Sequence, residues 1–150
     1  MKKLLLAIAI MAISVSVKAQ IETPVKWQYA AKKTSPTEAV VYFKATIQDG
    51  WHIYSLDVKD GGPIKTSIKL DASKEYAAVG KAVEPKPIAK NDPNFKMTLT
   101  YFEKEVTFSQ KIKLSSPNVS EVKGKLEYMT CNDHKCLPPD DINFTIPLGK

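Results

Sequence analysis

Arginine is missing altogether: every one of the 22 basic residues in the 150-residue chain is a lysine. Paired readout of guanine and of phosphate rests mainly on the forked guanidinium of arginine, so a nucleic-acid partner finds no support. Beyond Gln20 there is no apolar run approaching the roughly 20 residues that a membrane-spanning helix needs. The signatures Gly-x-Ser-x-Gly, His-Glu-x-x-His and a glycine-rich phosphate loop are absent, as is Cys-x-x-Cys. Carboxylate neighbours such as Asp140 and Asp141 are expected in a turn, and their spacing does not distinguish an acid–base pair from solvated acids. What remains is a chain with two histidines and two cysteines, and the cysteines carry the argument.

The first residues read as an export signal. Lys2 and Lys3 open it, Leu4 to Val17 form a short apolar run, and Val17-Lys18-Ala19 ends small-x-small before Gln20. Residues 1–19 are therefore expected to be a cleaved signal peptide and residues 20–150 a single exported, periplasmic domain with no membrane span. Loss of Lys2, Lys3 and Lys18 would lower the formal charge from +6 to +3. No cysteine follows the expected cleavage point to take a lipid.

The dominant period downstream is two. Val25, Trp27 and Tyr29 alternate with polar residues, as do Val41, Phe43, Ala45 and Ile47. The same holds for Ile64, Thr66, Ile68 and Leu70, for Val106, Phe108, Ile112 and Leu114, for Val122, Leu126 and Tyr128, and for Ile142, Phe144, Ile146 and Leu148. Such alternation marks half-buried antiparallel strands. Asp49-Gly50, Asp60-Gly61-Gly62-Pro63, Ser116-Pro117-Asn118 and Pro138-Pro139-Asp140 separate them. Seven or eight short strands at this spacing predict an all-β fold, an immunoglobulin-like antiparallel β-sandwich. Two stretches break the rhythm. Gly50 to Tyr54 packs Trp51, His52 and Tyr54 together, and Val83 to Phe95 reads as a proline-rich loop that cannot be a central strand.

Cys131 and Cys136 lie five positions apart in Tyr128-Met-Thr-Cys-Asn-Asp-His-Lys-Cys-Leu-Pro-Pro139. In an oxidising compartment such a pair forms a disulfide. A closed loop of about six residues restrains the unfolded chain by only about 2 kcal/mol, against roughly 4.7 for a 100-residue loop, so this bridge is a poor staple. If Val122, Leu126 and Tyr128 face the core, strand parity places Cys131 on the solvent side, where a thiolate could reach it. Within the ring, an imidazolium at His134 or an ammonium at Lys135 would favour thiolate, and Asp133 would oppose it. Two other readings stay open. One is a non-enzymatic binding module whose disulfide shapes a hairpin, with Trp51, Tyr54 and Phe95 as its contact surface. The other is a zinc or copper site drawn from Cys131, His134, Cys136 and His52; oxidation would consume its thiolates, and no metal or other cofactor is expected.

Tyr128 to Pro139, together with Asp49-Gly50-Trp51-His52-Ile53-Tyr54, resembles the periplasmic N-terminal domain of the bacterial thiol:disulfide interchange protein DsbD. The shared pattern is Tyr128, Cys131, Cys136, Pro138 and Pro139, with Asp49, Gly50, Trp51 and Tyr54 upstream. The resemblance implies an immunoglobulin-like fold and a redox relay with thiol:disulfide oxidoreductase activity. Cys136 would form the mixed disulfide and Cys131 would resolve it. Phe95, followed by a strand from Met97 to Phe102, would be the cap over the sulfurs. Tyr54 would line the pocket, and His52 would stand where the family tends to place another aromatic. The implied partners are thioredoxin-fold proteins or a membrane thiol reductant acting in trans. The chain departs from the family in three ways. Its ring holds four residues between the cysteines rather than five. Asn94 rather than an acid precedes Phe95, with Asp92 three back. The electron channel and the thioredoxin-like domain are expected to be absent.

Overall fold

The computed structural model describes residues 22–149; the expected signal peptide lies outside the described residues. Eleven strands follow in order: β1 Val25–Ser35, β2 Glu38–Ile47, β3 His52–Tyr54, β4 Ser67–Leu70, β5 Tyr76–Val83, β6 Ile88–Asp92, β7 Met97–Glu103, β8 Glu105–Leu114, β9 Glu121–Tyr128, β10 Thr130–Cys131 and β11 Asp140–Pro147. They form a four-stranded sheet β1-β2-β8-β5, a four-stranded sheet β10-β3-β7-β6 and a three-stranded sheet β11-β9-β4. Every ladder is antiparallel, so the expected immunoglobulin-like all-β sandwich is what the chain adopts.

The period-two residues supply the core. Val41, Phe43 and Ala45 of β2 and Phe108 of β8 have no exposed surface, nor have Val122, Leu126 and Ile146 from the three-stranded sheet. Aromatic contacts lock the layers: Phe43 meets the edge of Phe144 with ring centroids 4.9 Å apart, and Tyr29 lies 5.8 Å from the same ring. Edge-to-face geometry of this kind adds to the burial term.

Two backbone devices carry the chain between sheets. At the end of β2, Gly50 takes φ 82° and the Trp51 N–H donates to the Gln48 carbonyl at 3.0 Å. That turn delivers β3 to the second sheet. Lys104, at φ 62°, returns the chain from β7 to β8, and its carbonyl accepts the Ile47 N–H at 2.7 Å.

Three expectations are corrected. Residues 88–92, placed in a loop, form β6; it is the outer strand of its sheet, and Pro85 and Pro87 precede it rather than interrupt it. β5 was not legible, because Ala77 to Lys81 are all exposed and carry no alternation. Cys131 is not on the solvent side: its exposure is 0%. The chain leaves β9 at Met129 and enters a different sheet as β10, so the parity counted along β9 no longer applies to residue 131.

Gly124 permits β9 to approach its neighbours. A Cβ there would collide with the Lys69 carbonyl and lie 2.6 Å from Phe144 Cζ. Gly124→Ala is expected to destabilise the fold by about 2–3 kcal/mol, measured by urea unfolding; an unchanged midpoint would refute the close approach.

Candidate functional site

In the sheet β10-β3-β7-β6, strands β3 and β7 bury residues on both faces, and their register explains how. Ile53 pairs with Phe102, and Tyr54 with Tyr101. Ile53 and Phe102 enter the main core, so the alternating residues must point to the other side. There Tyr54, Leu99, Tyr101 and Cys131 form a second buried cluster, with Val58, Phe95, Met97, Met129 and Cys136 packed against it. Cys131 pairs with His52 across the β10–β3 ladder, which places the sulfur on the Tyr54 face.

The two cysteines are joined, with S–S 2.03 Å and Cα–Cα 4.0 Å. They differ in exposure: Cys131 is fully buried and Cys136 only partly so. The ring between them is a small hairpin held without the sulfurs. The Asn132 N–H donates to the Lys135 carbonyl at 2.9 Å, and Leu137 N–H to the Thr130 carbonyl at 2.9 Å. Asn132 Oδ1 accepts from the His134 and Lys135 amides, each at 2.9 Å. Asparagine is suited to this bond to its own downstream backbone.

Above the cluster, β6 and β7 are joined by the four-residue loop Pro93–Lys96, which carries Phe95. Asp92 organises it. Its Oδ1 accepts the Asn94 amide at 2.8 Å and the Phe95 amide at 3.2 Å, and its carbonyl accepts the Lys96 amide at 2.8 Å. Its Oδ2 accepts the Tyr54 hydroxyl at 2.9 Å. The carboxyl is almost wholly inside, at 2% exposure, and tolerates that burial because three donors converge on it. Tyr54 also meets the edge of the Phe95 ring, with centroids 6.1 Å apart. Asn94 Nδ2 extends the loop's contacts to the cysteine ring, donating to the Asn132 carbonyl at 3.2 Å.

His52 closes the network. Its Nε2 lies 3.2 Å from the Tyr54 hydroxyl and 3.6 Å from Asp92 Oδ2. Tyr54 has one proton and gives it to Asp92, so Nε2 carries a hydrogen and donates to the Tyr54 oxygen. Burial holds the imidazole below the usual histidine range, against the opposing pull of the Asp92, Glu103 and Asp133 carboxylates. His52 is therefore uncharged at neutral pH, and its approach to Asp92 is a polar contact rather than an ion pair. Burial first, then the bond to Asp92, raises the Tyr54 hydroxyl well above its ordinary value. Burial likewise raises Tyr101.

Cys131, Cys136, Phe95, Tyr54 and His52 thus converge. Trp51 does not: it packs into the main core, with the Lys135 ammonium 5.9 Å from its ring. Lys135 also pairs with Glu22 at 2.5 Å. Asp133 and His134 are exposed. Among the described residues no three of the His, Cys, Asp and Glu side chains gather as a metal site. Sequence reasoning gave Asp92 no role; the Asp-Pro step at its loop was the available signal, since it favours turn initiation. Tyr101, Met97 and Met129 were also missed, because they line a face that the main core does not explain.

Residues 17–147 match the family profile described as "Thiol:disulfide interchange protein DsbD, N-terminal". No curated protein sequence matches the chain. Among solved structures, the N-terminal periplasmic domain of ScsB from Proteus mirabilis aligns with TM-score 0.63 and 22% identity, covering 85% of this chain and 47% of that one. This chain thus spans about half the length of that relative. The reduced DsbD N-terminal domain of Neisseria meningitidis aligns with TM-score 0.52 and 22% identity, covering 79% of this chain and 83% of that one. A structure of the complex between the DsbD and PilB N-terminal domains from Neisseria meningitidis aligns with TM-score 0.54 and 19% identity, over 84% of this chain and 87% of that one. Likeness at these identities concerns the fold.

Two measurements test the network. Asp92→Ala leaves the Tyr54 hydroxyl and two amides without an acceptor, and a loss of about 2–4 kcal/mol in chemical unfolding is expected. Because the folded state disfavours protonated His52, the unfolded chain binds the extra proton. Stability is then complete above the unfolded histidine pKa of about 6.5 and falls as pH drops through the lower folded value. His52→Gln should flatten that acid-side slope; an unaltered slope would place the titration elsewhere.

Proposed function

This chain belongs to the family of N-terminal domains of the thiol:disulfide interchange protein DsbD, and we propose that it relays reducing equivalents in the periplasm through Cys131 and Cys136. The family assigns the chemistry to thiol–disulfide interchange, and the chain carries the joined cysteine pair that such chemistry needs. The observation that carries the finer reading is the asymmetry of the sulfurs: Cys136 keeps some exposure while Cys131 has none.

In the forward half-reaction a partner thiolate attacks Cys136 Sγ along the S–S axis. The Cys131–Cys136 bond breaks, its electron pair leaves on Cys131, and a mixed disulfide joins the partner to Cys136. A second thiolate of that partner attacks the partner's own sulfur in the mixed disulfide and releases Cys136. The partner leaves oxidised, and the pair has gained two electrons and two protons. The Cys131 thiolate forms inside an apolar cluster, which favours its protonation or its return to the disulfide. Delivery to a client runs the same steps in reverse, with Cys136 attacking and Cys131 resolving.

The partners that fit are thioredoxin-fold proteins and a membrane thiol reductant. The complex between the DsbD and PilB N-terminal domains of Neisseria meningitidis supports a second domain docking on this fold. Export as residues 20–150, with residues 1–19 as signal peptide, belongs to the same proposal. Phe95 acts as the cap that a docking partner displaces. Asp133, His134 and Lys135 lie in the loop between the two sulfurs and are the side chains proposed to tune Cys136.

Cys131→Ser should hold a thioredoxin-fold partner as a stable mixed disulfide through Cys136, and Cys136→Ser should capture far less. The pair should equilibrate with a dithiol at a potential above about −300 mV; a value below it is that of an inert structural bridge. In that outcome the domain is a binding module, and Cys131→Ser/Cys136→Ser costs about 2 kcal/mol of stability without loss of partner binding.

A further inference from the structure

We propose that Asn94 is a positioning residue for the exchange reaction: its side-chain amide latches the Phe95 loop to the cysteine ring and sets how often the sulfurs are uncovered. The inference rests on the exchange reading above. Asp92 fixes the base of the loop and its first two amides, but all of those bonds lie within the β6–β7 hairpin. Among the described residues, the 3.2 Å bond from Asn94 Nδ2 to the Asn132 carbonyl is the one hydrogen bond between loop 93–96 and ring 131–136. Asn132 directly follows the buried cysteine, so the latch closes the loop onto the ring at the sulfurs' own hairpin. Phe95 packs on Tyr54 and on the cluster that holds both cysteines, so lifting the loop requires this bond to break.

The latch acts on rate rather than on equilibrium. Its acceptor is held by bonds that do not pass through sulfur: the Asn132 N–H to the Lys135 carbonyl, and Asn132 Oδ1 from the His134 and Lys135 amides. The Asn132 carbonyl therefore stays in place when the disulfide opens, and the latch forms in both redox states. A gate closed equally in both states slows reduction and reoxidation by one factor and leaves their ratio alone. The bond is exposed, so its net worth is that of an ordinary neutral hydrogen bond.

The test is the rate of reduction by dithiothreitol and of reoxidation by its cyclic disulfide, in the wild-type protein, Asn94→Ala and Asn94→Asp. Asn94→Asp is nearly isosteric and removes the donor but adds a negative charge, so the neutral Asn94→Ala decides the comparison of the two redox directions. Both variants are expected to react about two- to tenfold faster in each direction, with the equilibrium constant of Asn94→Ala unchanged and its thermal midpoint lowered by at most a few degrees, because the same bond is lost from the folded state. Wild-type rates in both variants would overturn the latch while leaving the exchange reading intact. Acceleration in one direction alone, with a shifted equilibrium constant, would overturn the claim that it acts in both redox states. A wild-type disulfide that native-state dithiothreitol does not reduce would overturn the exchange reading, and the latch with it.

Discussion

The position of the disulfide depends on a short antiparallel pairing between β3 and β7. Each strand turns one set of side chains into the main core and the other away from it, so Ile53 and Phe102 anchor the sheet while Tyr54 and Tyr101 build a separate apolar cluster. β10 adds two residues to the edge of β3, and its register against His52 commits Cys131 to the second face. The sulfur is thus buried without belonging to the core that stabilises the domain.

The buried acid beside that cluster is the Asp92 carboxylate, which the Tyr54 hydroxyl and the buried His52 imidazole approach. A buried acid with no partners would be costly; here two loop amides and the Tyr54 hydroxyl meet its oxygens. The consequence is mechanical. The loop carrying Phe95 is tied to the same group that orients Tyr54, and His52 completes the line of hydrogen bonds back to the strand paired with β10. The neutral state of His52 follows from burial outweighing three nearby carboxylates, so the line transmits orientation rather than charge.

Legibility in the sequence followed the physics of each segment. β2, β8, β9 and β11 were plain because each has one face in the main core, and period-two alternation records that directly. β5 was invisible because its exposed alanines pack against little. β6 was hidden by flanking prolines, although an outer strand tolerates them at its start. The cysteine segment and the Trp51–Tyr54 stretch were visible through their pattern and through the family resemblance. Asp92 was visible only as a departure from that family, since its role depends on Tyr54, 38 positions earlier in the chain.

The sequence by itself determined an antiparallel sandwich, a single short disulfide ring and the neighbourhood in which that ring would react. Those properties are local: alternation, turn chemistry and the spacing of two cysteines. The tertiary structure alone decided which sulfur is buried, which acid holds the Phe95 loop and where the loop meets the ring. The reason is the break at Met129, where the chain changes sheets. A parity counted along one strand carries no information past such a break, and only the pairing of β10 with β3 fixes the face on which Cys131 lies.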